Sequence, residues 1–169
     1  MIHPPRHFDL NEWTVIGVTL PMTFLALCLR KRLPLSLSVI IVLFSITTAR
    51  LCDHILAYPH LTDLYDIMDL NKLDWFDLMT YIMFAPGGYI FVYLYDRWKL
   101  RGLQVPLYIL VWSLLATGIE WGLVRASVFV YKEWSIVYSF AVYMLVQPLT
   151  LWFFRFLIVD EPSYDEVKR

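Results

Sequence analysis

Five long apolar runs, separated by short stretches that hold most of the charge, leave this chain few ways to fold. They fall at about residues 13–29, 35–51, 78–95, 103–123 and 135–159. Each is close to the ~20 residues that carry a helix across a ~30 Å hydrocarbon layer. Backbone groups in lipid find no water, so separate runs of this length must be helical. The in/out alternation of a membrane β-barrel is absent. Hydrophobic residues make up 59% of the 169, against about 45–50% in soluble domains. A soluble chain this short could not bury so much apolar surface. The expectation is an all-α fold: one polytopic transmembrane domain over residues 1–169, a bundle of five spans. The N-terminus lacks a lysine-rich n-region and a small-residue cleavage site, so the first run reads as a retained span.

Lys and Arg set the orientation. The segments after spans one, three and five hold nine of them: Arg30, Lys31, Arg32, Arg97, Lys99, Arg101, Arg155, Lys168 and Arg169. The other side holds five: Arg6, Arg50, Lys72, Arg125 and Lys132. The positive-inside rule places the N-terminus outside and the C-terminus inside. Trp13, Trp75, Trp121 and Trp134 then lie near the outer interface, and Trp98 and Trp152 near the inner one, the depth an indole prefers. Trp112 is mid-span. Cys28 and Cys52 fall near opposite faces, which rules out a disulfide between them. Spans one and two, joined by a few residues, are expected to form a tight antiparallel hairpin. Residues 52–77 form an acidic outer segment. Within it Leu61, Leu64, Tyr65 and Met68 recur at i, i+3, i+4 and i+7, opposite Asp63, Asp66 and Asp69. That spacing suggests a short amphipathic helix on the outer leaflet.

Polar residues inside the spans are the candidate site. Glu120, in the outer part of span four, costs a few kcal/mol unless paired, protonated or wetted. Arg50, at a similar depth in span two, is the expected partner, and Arg125 is the second candidate. The bland interpretation is an ion pair clamping helices; the sharper one is a proton or cation site on a transport path. Pro21, Pro86-Gly87-Gly88 and Pro148 mark expected breaks in spans one, three and five. Freed carbonyls at Pro86-Gly87-Gly88 could coordinate an ion, although such glycines more commonly let a neighbouring helix approach. His3, His7, His54 and His60, near Asp53, Asp63 and Asp66, do not match a metal-ligand spacing. No GxSxG, HExxH, P-loop or GxGxxG is present. Catalytic, cofactor and metal residues are therefore assigned to none.

From span three onward the chain resembles an uncharacterised family of small multi-pass membrane proteins of endospore-forming Firmicutes. The matching residues are Asp74-Trp75-Phe76-Asp77, Pro86-Gly87-Gly88-Tyr89-Ile90-Phe91, Tyr93-Leu94-Tyr95-Asp96, Glu120-Trp121, and Tyr131-Lys132-Glu133-Trp134 leading into Tyr138-Ser139. The resemblance covers about residues 61–157. The resemblance implies a bacterial cytoplasmic membrane protein and carries no activity with it.

With a net charge of −1 the chain has no polybasic signature for nucleic acid. Expected partners are the lipid bilayer and other membrane proteins or further copies of itself. The favoured role is a structural or accessory membrane subunit. The alternative is a small transporter or channel subunit using Glu120, Arg50, Gln147 and the Pro86-Gly87-Gly88 break. A third reading is an intramembrane enzyme acting on lipid, built on His54, Asp53 and Glu120.

Overall fold

The computed structural model describes residues 8–58, 60–68, 75–159 and 164. Five helices dominate: α1 (Leu10–Cys28), α2 (Leu35–Leu56), α3 (Trp75–Trp98), α4 (Gln104–Arg125) and α5 (Ile136–Val159). All five contain stretches long and apolar enough to cross a membrane. Their outward faces are strongly apolar: Phe24 is 70% exposed, Leu27 79% and Leu145 75%.

Helix α3 is the hub. Buried residues make up 56% of its apolar stretch, against 11–22% in the other four. Helices α1 and α2 both pack chiefly on α3, and α4 packs on α5. The expected tight pairing of α1 with α2 is therefore corrected: the short link joins them, but their main partner is α3. The glycine pair explains why. A Cβ on Gly87 would touch Met22 of α1 at 3.5 Å, and one on Gly88 would overlap Ser45 of α2. Small residues on two adjacent faces of α3 let two neighbours approach closely. Pro86-Gly87-Gly88 is thus no break, and α3 runs through it. Helices α1 and α5 likewise continue through Pro21 and Pro148. Each proline deletes one helical donor, a loss that packed neighbours let a membrane helix absorb.

Two buried clusters mark the two ends. One gathers Leu37, Ile41, Phe91, Tyr95, Tyr108 and Phe154. There Arg32 pairs with Asp96 at 3.4 Å, and Tyr164 donates to the same carboxylate. The other gathers Val15, Tyr65, Met83, Leu123, Val128 and Phe129.

The second cluster lies under a feature the sequence did not announce: an antiparallel pair of short strands, β1 (Tyr65–Ile67) and β2 (Phe129–Tyr131). The expected amphipathic helix at 61–68 is not formed. Asp63 and Met68 bracket the segment with φ of 51° and 53°, conformations a helix cannot contain. Its partner strand lies over sixty residues away, where helical spacing carries no information about it. Asp69 falls outside the described residues. Lys132 fixes the pair by reaching both Asp63 and Asp66 at 2.7 Å. The main-chain N–H groups of Lys132, Glu133 and Trp134 all point to the Leu64 carbonyl, at 3.0–3.2 Å. Strand β2 is launched by a Schellman turn closing α4. Val128 N–H reaches the Leu123 carbonyl at 2.9 Å and Ser127 N–H that of Val124 at 3.1 Å, with Ser127 at φ 59°.

Gly88→Ala is expected to cost ~1–3 kcal/mol through overpacking, read as a lower unfolding temperature in detergent. Gly17→Ala, with nothing within 4 Å of the added carbon, should be neutral or stabilising by up to ~1 kcal/mol. Equal effects at the two positions would remove the hub role of Gly88.

Candidate functional site

The face that each helix turns inward is legible once the bundle is assembled. Helix α4 presents Trp112, Leu115, Ala116, Ile119, Glu120 and Leu123; α5 presents Ser139, Val142, Tyr143, Val146, Gln147 and Thr150. Helix α2 presents Ser45, Thr48, Ala49, Cys52, Asp53 and Leu56. All three follow i, i+3, i+4, i+7, i+8, i+11, one stripe of an α-helix. Together with Val18, Met22 and the Gly87–Gly88 face of α3, they surround a cavity of about 340 Å³. That lies within the ~300–1,000 Å³ of small-molecule sites.

The cavity is polar mainly at the sheet end. Glu120 Oε1 accepts from Tyr131 Oη and Ser139 Oγ, both at 2.6 Å, and Oε2 accepts from Tyr143 Oη at 2.7 Å. Trp134 Nε1 donates to Ser139 Oγ at 2.8 Å, orienting that hydroxyl. Ser139 and Tyr143, four residues apart, share a face of α5. Asp53 of α2 lines the same cavity and accepts from Tyr65 Oη. Tyr65 and Tyr131 are direct partners across the two strands, so the sheet delivers one phenol to each carboxylate. Burial raises the pKa of Tyr65, and the Asp53 charge and hydrogen bond raise it further. Burial likewise raises Tyr131, with the Glu120 hydrogen bond adding to it. Both phenols therefore stay protonated and donate. Hydrogen bonds to Asp63 and then Asp66 raise the Lys132 ammonium and hold it charged.

Deeper in, Ser113 Oγ donates to Gln147 Oε1 at 3.1 Å. At the opposite end the bundle is filled by aromatic packing. Phe91 stacks on Tyr108 at 5.1 Å and Tyr95 meets Phe154 edge-on at 6.3 Å.

The expected Arg50–Glu120 ion pair is not made. Arg50 Nη1 donates to Tyr81 Oη at 2.5 Å, with its guanidinium 4.9 Å from that ring. The two residues were matched by depth, but Arg50 follows Ala49 by one position, about 100° around the helix from the cavity stripe. Arg125 is exposed and lies 4.6 Å over the Trp121 ring, so it too is outside the site. His54 packs on Tyr58 at 5.0 Å and is not in the cavity lining, whereas Asp53 beside it is. Among the described residues no three His, Cys, Asp or Glu side chains gather as metal ligands; His3 and His7 lie outside them. Sequence reasoning missed Tyr65, Tyr131, Ser139 and Tyr143 as partners of the acids. The repeated stripe, carrying Asp53, Glu120, Ser139 and Tyr143 toward one end, was the available signal.

Comparison with protein-family models, curated proteins and solved structures yields no match.

A double-mutant cycle distinguishes the two arrangements. Glu120→Gln with Tyr131→Phe should show coupling of ~1–2 kcal/mol in unfolding stability. Glu120→Gln with Arg50→Gln should be additive within ~0.5 kcal/mol. Strong coupling in the second pair would restore the ion-pair arrangement.

Proposed function

We propose that this chain is an integral protein of the bacterial cytoplasmic membrane, N-terminus outside and C-terminus inside, that holds one small amphipathic molecule between its helices. The single observation that carries the reading is the cavity: apolar walls, with Glu120 and Asp53 at one end. That is the character of a small-molecule site, where a few placed polar groups orient a largely apolar ligand. Support for the membrane comes from five suitably long apolar helices and from the apolar side chains on their outward faces. In the proposed orientation the sheet caps the extracytoplasmic end.

Binding is favoured over passage because the polar groups do not continue through the bundle. Beyond Gln147 and Thr150 the way is occupied by the Phe91–Tyr108 stack and its neighbours. A transport subunit remains the second reading, since Glu120, Gln147, Gly87 and Gly88 all line the one cavity. It would need that aromatic plug to part. Enzymic action on lipid is disfavoured, because the histidine it required turns to Tyr58. An accessory subunit whose stability depends on a bound small molecule fits the same geometry.

Two measurements test the reading. With the native cysteines replaced by alanine, Thr62→Cys should react with a membrane-impermeant thiol reagent in intact cells. Lys31→Cys should react only after permeabilisation; reaction of both in intact cells would sink the orientation. Native mass spectrometry of protein extracted in mild detergent should show a co-purifying small molecule. Ala116→Phe, which fills the cavity, should lose it while the fold survives. An adduct that Ala116→Phe leaves untouched would sink the binding site.

A further inference from the structure

The hydrogen-bond direction at the polar end of the cavity constrains what can enter it. Tyr131, Ser139 and Tyr143 donate hydrogen bonds to Glu120, Tyr65 donates to Asp53, and Trp134 donates to Ser139. A ligand head that needs protons from the protein, such as a carboxylate or phosphate, finds these donors already committed. A head that brings protons finds lone pairs. An ionised carboxylate offers about four acceptor positions, and among the described residues Asp53 has one donor, Tyr65.

Charge points the same way. Among the described residues the cavity lining holds two carboxylates and no Lys, Arg or His. Among the described residues the three Lys and Arg side chains of this end have other partners: Arg50 on Tyr81, Arg125 on Trp121, and Lys132 on Asp63 and Asp66. Aromatic rings stand beside the acids. Tyr65 lies 5.8 Å from Trp134 and 6.0 Å from Phe129, centroid to centroid, and all three line the cavity. Ring faces beside carboxylates are a setting for an organic cation. One turn further in, Gln147 is 6% exposed; its Oε1 is taken by Ser113 and its Nε2 has no partner among the described residues. That amide asks for an acceptor atom on the ligand, one turn of α5, ~5.4 Å, from the level of Tyr143.

We infer that the molecule held in this cavity is a lipophilic amine, its ammonium seated between Asp53 and Glu120 and its apolar body running toward Gln147. The inference rests on the binding reading above and adds the charge of the head. An ammonium supplies three donors and no acceptor, matching what the two carboxylates still lack. The source is either a free amine or an aminolipid of the bilayer; both present the same head.

The test uses the full chain in phosphatidylcholine nanodiscs and three matched probes: 4-phenylbutylamine, 4-phenylbutanol and 4-phenylbutanoate. Binding is followed by quenching of tryptophan fluorescence. The amine should bind at least tenfold more tightly than the alcohol, and the acid should not bind. Glu120→Gln and Asp53→Asn should each weaken the amine at least tenfold and leave the alcohol within threefold. Circular dichroism checks that each variant is folded, and Glu133→Gln, which removes an exposed acid outside the cavity lining, should retain the amine preference. Equal affinity for amine and alcohol would overturn the ammonium assignment while leaving the cavity as a site. Failure of both probes, or binding unchanged by Ala116→Phe, would remove the site itself. Repeating the titration in discs containing phosphatidylethanolamine identifies the source. Amine binding lost there points to an aminolipid, and binding retained points to a free amine, the ammonium head standing in either case.

Discussion

Glu120 can sit inside an apolar bundle because three hydroxyl groups converge on it. A carboxylate deprived of water needs such donors or an opposite charge, and here donors alone meet the need. Because those hydroxyls come from β2 and α5 while the acid belongs to α4, one side chain ties three elements together. The Asp53–Tyr65 contact repeats the device between α2 and β1. Since β1 and β2 are themselves paired, the two contacts link α2 to the α4–α5 pair across the top of a cavity. Without that polar closure, the α2–α3 and α4–α5 packings would meet mainly through apolar contacts, which specify direction poorly.

The opposite end is built on another logic. There Asp96 has Arg32 as its ionic partner, and Arg155 bonds to Tyr95. Stacked aromatic rings fill the interior. Asp96 with a cation at one end, and the cavity acids Asp53 and Glu120 with hydroxyl donors at the other, make an asymmetric bundle. Only the second arrangement leaves negative charge beside open volume.

Much of the architecture was legible in the sequence, because length and apolarity fix a helix in lipid with little help from tertiary context. The five runs became α1 to α5 with their ends moved by a few residues. The prolines misled as breaks, since lost donors matter less when neighbouring helices hold the turn. Glu120 stood out as an acid within an apolar run, and it lines the cavity. Its partners did not, because Arg50 was chosen by depth and charge while the angle around α2 decides what it touches. The strands escaped notice for a different reason. Their pairing joins Tyr65 to Tyr131 across two helices' worth of chain, and eight residues of β1 and its flanks happened to satisfy a helical spacing. Tyrosine was the least legible residue of all: 11 are present, and nothing local separates the three that reach Asp53 and Glu120 from the rest.

The shortness of the two strands has a consequence of its own. Each is three residues long, and alternate residues of a strand face opposite ways. Sliding β1 by a single position would swing Tyr65 to the far side and take its hydroxyl away from Asp53, and sliding β2 would remove one of the three donors to Glu120. The little sheet therefore behaves as a combination lock with one working setting. It is the buried acids, more than the few backbone bonds between the strands, that hold the dial in place.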